Sequence, residues 1–209
     1  MDLKKLNNFL KKDDFLDGTV ILAGSGPGDP KLLTLEVFLS IKIADVIIYD
    51  ALVNSEVIKS SKKDAILIFA GKRYSNKSCS QEDIITWMVK YSRMGKKVLR
   101  LKGGDPSIFG RGAEEVEALK KNNISFKILS GITAAQESFK TLKSDYISNK
   151  DSFILITGHK ALNKDTPHLD FKALATYSGK IIIYMGLSQL NSIAQNLISF
   201  GKSKRSQVE

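Results

Sequence analysis

Short apolar runs and longer amphipathic stretches take turns along the chain. VIIY at 46–49, ILIF at 66–69, FILI at 153–156 and IIIY at 181–184 are apolar throughout. A strand buried on both faces reads that way, whereas a strand with one wet face alternates. The pattern predicts strands over residues 18–23, 45–49, 65–69, 97–101, 125–129, 152–157 and 180–185. It predicts helices over 31–43, 81–93, 111–122, 132–142 and 188–200. Strands alternating with helices specify an α/β protein with a largely parallel sheet. The polar stretch KSDYISNKD at 143–151 interrupts this rhythm. We therefore expect an N-terminal extension over 1–17, a first domain over 18–143 and a second over 144–209, with ligand chemistry in the crevice between the two domains.

The strand ends carry the informative loops. The first predicted strand runs into Gly24, Gly26, Pro27 and Gly28, followed by Asp29 as a candidate N-cap and Pro30 just inside the next helix. A dinucleotide fold would place G-x-G-x-x-G here. The glycines at 24, 26 and 28 break that spacing, and Pro27 removes an N–H that a pyrophosphate cradle would use. A second loop, LKGGDPSIFGRGAEE at 101–115, brings Gly103, Gly104, Asp105 and Arg111 to another strand end. Between them, GKR puts Lys72 and Arg73 after a third strand, and Ser80 with Asp83 forms a capping signal. Two such loops in one chain point to a shared pocket, with Lys72 suited to binding a carboxylate or moving a proton.

Composition narrows the functional classes. The chain has 209 residues, 43% hydrophobic and 26% charged, as in an ordinary globular protein. No apolar run approaches a membrane span, and residues 1–17 mix both charge signs, so a cytoplasmic, non-membrane protein is expected. Cys79 is the single cysteine and His159 and His168 are the two histidines, which leaves little material for a metal site. The net charge of +10 permits a polyanionic partner. Its lysines are scattered, with no basic helix or aromatic platform, so nucleic acid binding is a reserve reading. Trp87 and Met88 read as helix core, Cys79 as an unpaired loop thiol, His159 as a strand-end packing group and His168 as solvated.

The segments GSGPGDPKLLT, ADVIIYDALV, GKR, LKGGDPSIFGRG, GITAA, ITGH and YMGL, in this order, resemble the tetrapyrrole methylases from Gly18 to about Gly201. The wording is nearest to the branch that methylates uroporphyrinogen III. The resemblance implies two αβα domains with S-adenosylmethionine bound between them, a homodimer, no metal, and methylation of two ring carbons to give precorrin-2 for sirohaem or cobalamin synthesis. It implies Asp50 as proton acceptor and Lys72 as proton donor. It implies cofactor contacts from Pro27, Gly103, Gly104, Asp105, Ile108, Thr133, Ala134 and Met185. Lys72, Arg73, Lys102 and Arg111 are candidate cations for the substrate's acetate and propionate groups.

Three departures qualify the pattern. Ser130 stands before GIT where relatives carry proline, TLKSDYISNKDS lacks a Pro-Leu-Thr-basic segment, and the chain stops at GKSKRSQVE where relatives continue. The C-terminal end is accordingly expected to be truncated. Alternatives left open are a precorrin or diphthine-type methylase of the same fold and an inactive or purely S-adenosylmethionine-binding remnant. Around Leu187, Leu190, Ile193 and Leu197, the helix faces of the second half are expected to be buried.

Overall fold

Crossover connections that run in opposite directions organise the larger sheet. The structure is a computed structural model that describes residues 15–71, 79–141, 151–158 and 169–208. Two compact units divide the chain, Met1–Glu137 and Ser138–Glu209. In the first, β1 (Val20–Gly24), β2 (Val46–Tyr49), β3 (Ile66–Phe69), β4 (Val98–Lys102) and β5 (Phe126–Leu129) form a parallel sheet in the order β3-β2-β4-β1-β5. From β1 the chain travels toward β2, and from β4 it travels the other way, toward β5. The switch point therefore lies between β1 and β4, where open α/β sheets bind ligands.

Period-two alternation sorts the strand side chains onto two cores. Ile21, Ala23, Ile47, Leu99 and Leu101 face one side, with Val37 and Ile41 of helix α1 (Leu35–Ile43) and Val57 and Ile58 of α2 (Ser55–Lys59). Val20, Leu22, Val46, Ile48 and Val98 face the other, with Ile84 and Met88 of α3 (Gln81–Arg93) and Leu119 of α4 (Gly112–Lys121). Each fully buried aliphatic side chain contributes on the order of 2 kcal/mol, so the two layers hold the strand ends rigidly in place. Met88 lies in this core and Trp87 and Cys79 pack at its margin. Burial, followed by the charge of Asp83, pushes the Cys79 thiol upward.

Several element boundaries differ from the sequence expectation. The predicted helix 31–43 is a 3-10 turn, Pro30–Leu32, capped by Asp29, and then α1, restarted by the Thr34 cap. The short helix α2 was not expected; its Asn54 cap also donates from Nδ2 to the Gly28 carbonyl at 2.8 Å. At α3 the capping box is complete, with Ser80 and Asp83 bonding each other's backbone amides. Although ILIF reads as doubly buried, Ile66 and Leu67 of β3 are exposed, because β3 is an edge strand.

Helix α5 (Ala134–Thr141) follows β5. In the second unit, β6 (Phe153–Thr157) and β7 (Lys180–Tyr184) pair in parallel. The unit also holds α6 (Phe171–Thr176), which was not expected, and α7 (Leu190–Ser199). Of the four residues expected to be buried here, Ile193 is buried, Leu197 is half-buried, and Leu187 and Leu190 are exposed. No helix among the described residues is long and apolar enough to cross a membrane.

Candidate active site

Three glycines let the ends of β1, β4 and β5 touch. A Cβ on Gly24 would sit 2.7 Å from the Gly131 Cα, and one on Gly131 would sit 2.8 Å from Gly24, with the Gly104 carbonyl oxygen closer still in both cases. These are backbone neighbours that cannot step aside. The loops are then tied together. Gly104 N–H donates to the Gly26 carbonyl at 2.7 Å, Gly26 N–H returns a bond to Gly104 at 3.2 Å, and Ser25 N–H donates to the Lys102 carbonyl at 2.7 Å.

Asp105 completes this junction. Its Oδ2 accepts from Gly131 N–H at 3.0 Å and its Oδ1 accepts from Ser107 N–H at 2.8 Å and from the Ser107 hydroxyl. At 9% exposed, the carboxylate binds the β4 loop to the β5 loop. Gly104, at φ +66°, turns its other side outward: among the described residues a Cβ there would meet no atom within 4 Å beyond its chain neighbours, and the same holds at Gly28. Bare backbone beside open space fits a ligand that approaches closely, as the S-adenosylmethionine expected here would. Gly103 packs differently, since its Cβ would lie 2.7 Å from that of Leu52.

Asp50 stands one strand away, just beyond β2, with its N–H bonded to the Leu101 carbonyl at 3.2 Å. Its Oδ1 accepts from Arg100 Nη2 at 2.6 Å, while its Oδ2 lies 3.9 Å from Lys102 Nζ. Arg100 and Lys102 follow Val98 at period two, so they point toward the layer that holds α3 and α4. There Glu115 Oε1 accepts from Arg100 Nε at 3.1 Å, Lys102 Nζ at 3.0 Å and Gln81 Nε2 at 3.1 Å. Burial, then the neighbouring Arg100 charge, holds the Lys102 ammonium below the usual lysine range. Lys102 is 4% exposed, so it has little surface to offer a substrate carboxylate directly.

The other expected residues are more dispersed. Pro27 and Ile108 are half-buried in the β1 and β4 loops, Thr133 is half-buried after β5, and Ala134 is exposed at the start of α5. Ile108 N–H donates to the Asp105 carbonyl at 3.2 Å and Thr133 accepts at its carbonyl from Gln136 N–H at 3.0 Å. Arg111 caps α4 with left-handed backbone, φ +56°, and is ion-paired to Glu114 at 2.6 Å in solvent. Met185, in the second unit just beyond β7, is also left-handed at φ +55° and half exposed. Non-glycine residues held there cost on the order of 1 kcal/mol each and concentrate at functional sites. Lys72, Arg73, His159 and His168 lie outside the described residues. Among the described residues no cluster of three metal-ligating side chains occurs.

The class the fold and site define is a parallel α/β protein with glycine-walled loops at its switch point, where open α/β sheets bind small ligands, and a carboxylate at the neighbouring strand end. Residues 19–206 match the model of the tetrapyrrole (corrin/porphyrin) methylases, and the chain belongs to that family. It is 41% identical to a uroporphyrinogen-III C-methyltransferase of Methanocaldococcus jannaschii over 91% of this chain and 78% of that one. It is 40% identical to a siroheme synthase of Actinobacillus succinogenes over 96% of this chain, and spans 42% of that protein's length. Among solved structures, uroporphyrin-III C-methyl transferase of Thermus thermophilus complexed with S-adenosylhomocysteine superposes with a TM-score of 0.73 at 30% identity, covering 90% of this chain and 78% of that one. The α/β architecture of this family is thus the architecture of the chain.

Proposed function

We propose that this chain transfers methyl groups from S-adenosylmethionine to ring carbons of uroporphyrinogen III. The observation that carries the reading is the pairing, at adjacent strand ends, of a glycine-walled junction with an aspartate held by a buried arginine. The likeness to uroporphyrinogen-III C-methyltransferases over most of the chain supports the choice of substrate. When bound, S-adenosylmethionine supplies an electrophilic sulfonium methyl. Gly104, Gly28 and Pro27, with the half-buried Ile108 and Thr133, would hold it against backbone and apolar surface. Gly103 and Ala134 belong to the same proposed set.

Asp50 is the proton acceptor in this reading. Arg100 engages Oδ1, which leaves Oδ2 to take the proton that the macrocycle gives up after methylation. Lys72 is the proposed donor, and Arg73 and Arg111 are the proposed partners of the substrate's carboxylates. Removing a positioned acid–base group costs roughly 100- to 10,000-fold in rate. Incubation of the chain with uroporphyrinogen III and methyl-labelled S-adenosylmethionine is expected to put two labelled methyl groups on the macrocycle, with Asp50→Asn slower by that factor. An unlabelled tetrapyrrole from folded wild-type protein refutes the proposal.

A further inference from the structure

Behind Asp50 lies a chain of charges that the proton transfer itself does not touch. Arg100 is 2% exposed in its side chain, Glu115 is fully buried, Lys102 is 5% exposed, and Asp50 alone reaches solvent at 28%. Two cations and two carboxylates balance, and one guanidinium bridges both acids: Nη2 to Asp50 at 2.6 Å and Nε to Glu115 at 3.1 Å. Its Nη1 is fixed by the Ile48 and Leu101 carbonyls at 3.4 and 3.3 Å. Glu115 Oε2 has no hydrogen-bond partner among the described residues.

A sheet interior has no need of this. Apolar residues of similar volume at buried ion-pair sites are commonly neutral or stabilising. The same strand and helix supply Val98 and Leu119 one step away on the same layer, so the layer itself is apolar. A buried network that ends on one solvent-reaching carboxylate is arranged for that carboxylate.

We propose that Arg100 and Glu115 are positioning residues for Asp50: Arg100 fixes its Oδ1, and Glu115, by holding Lys102 and the far edge of Arg100, offsets the positive field around Asp50 so that Oδ2 is free to accept a proton. This rests on the reading of Asp50 as proton acceptor. Among the described residues, the groups facing Asp50 are Arg100 and Lys102 from β4, Glu115 from α4 through those cations, and Cys79 from the segment before α3. Two substitutions then act with opposite sign. Glu115→Gln leaves two cations facing Asp50 alone, so the carboxylate binds its proton less readily. Arg100→Gln removes the cation that touches Asp50, so it binds the proton more readily. Loss of packing cannot produce opposite shifts.

The experiment follows the Asp50 carboxyl carbon by NMR against pH in aspartate-labelled full chain, assigned with Asp50→Asn, alongside the pH dependence of methyl transfer. The expected result is a midpoint lower by about one pH unit in Glu115→Gln and higher by about as much in Arg100→Gln, with the acid limb of the rate profile following. If Arg100→Gln does not fold, the isosteric Glu115→Gln decides alone. A midpoint and acid limb unmoved in folded Glu115→Gln, with Asp50→Asn still slowing transfer by the expected factor, overturn the inference and leave the function standing. Shifted midpoints in a chain whose wild type transfers no methyl overturn the functional reading and leave the coupling of Glu115 to Asp50 established.

Discussion

Gly131→Ala introduces one methyl group where three strand ends meet. The new Cβ would lie 2.8 Å from both the Cα and the carbonyl carbon of Gly24, and nearer still to the Gly104 oxygen. Ordinary contact begins at 3.4 Å, so the β1 end must withdraw by about 0.6 Å and the β4 loop by about twice that, against a close-packed layer. Overpacking of this kind costs about 1–3 kcal/mol, and rigid backbone neighbours put this site at the upper end. The alanine restricts the unfolded chain and returns roughly 0.4–1 kcal/mol, which leaves a net loss of about 2 kcal/mol. With a urea dependence of about 2 kcal/mol per molar, the unfolding midpoint falls by about 1 M. Gly95→Ala is the control: φ is +72° but among the described residues nothing beyond its chain neighbours lies within 4 Å of its Cβ, so it reports backbone strain alone, on the order of 1 kcal/mol. A Gly131→Ala midpoint no lower than that of Gly95→Ala would refute the packed junction.

Other outcomes follow from the same contacts. Asp105→Ala leaves the Gly131 and Ser107 amides without their acceptor, and is expected to cost about 2 kcal/mol in denaturant unfolding; an unchanged midpoint would remove Asp105 from the junction. Asp45 links the start of β2 to the start of β4 by accepting from Lys62 Nζ at 2.6 Å and from Lys97 N–H at 2.8 Å. Burial pushes its carboxyl upward, but those two bonds outweigh it and hold the group below its ordinary value. A depressed folded-state value means stability that is present at neutral pH and lost as the pH falls through that value. Asp45→Asn should therefore lose about 1 kcal/mol at neutral pH and progressively less below about pH 4. An equal deficit at both pH values would contradict this.

Apolar runs made most of the sheet legible, because VIIY between turn residues reads as a strand buried between two helical layers, and it is one. The full capping box at Ser80 and Asp83 was also legible. Helices α2 and α6 escaped because one or two turns carry no repeating apolar face, and the split at Pro30–Leu32 escaped because Thr34 was not read as a second cap. At the site, Asp50, Gly104 and Asp105 announce themselves as strand-end loop residues. Arg100 and Glu115 do not, since each sits inside a regular element. Their signals were present all the same: Arg100 and Lys102 repeat at period two after Val98, and Glu115 lies four residues before the buried Leu119, on the same helix face.

The account stands most directly on the claim that the outward side of Gly104 is where the S-adenosyl ligand lies. Calorimetric titration with S-adenosylhomocysteine, on wild type and on Gly104→Ala, tests it. Among the described residues the methyl would meet no atom within 4 Å beyond its chain neighbours, at a strain cost of about 1 kcal/mol for the left-handed backbone, so the variant folds. Binding by wild type and its loss in folded Gly104→Ala is the predicted result. Equal binding by the two proteins, or none by folded wild type, would contradict the site.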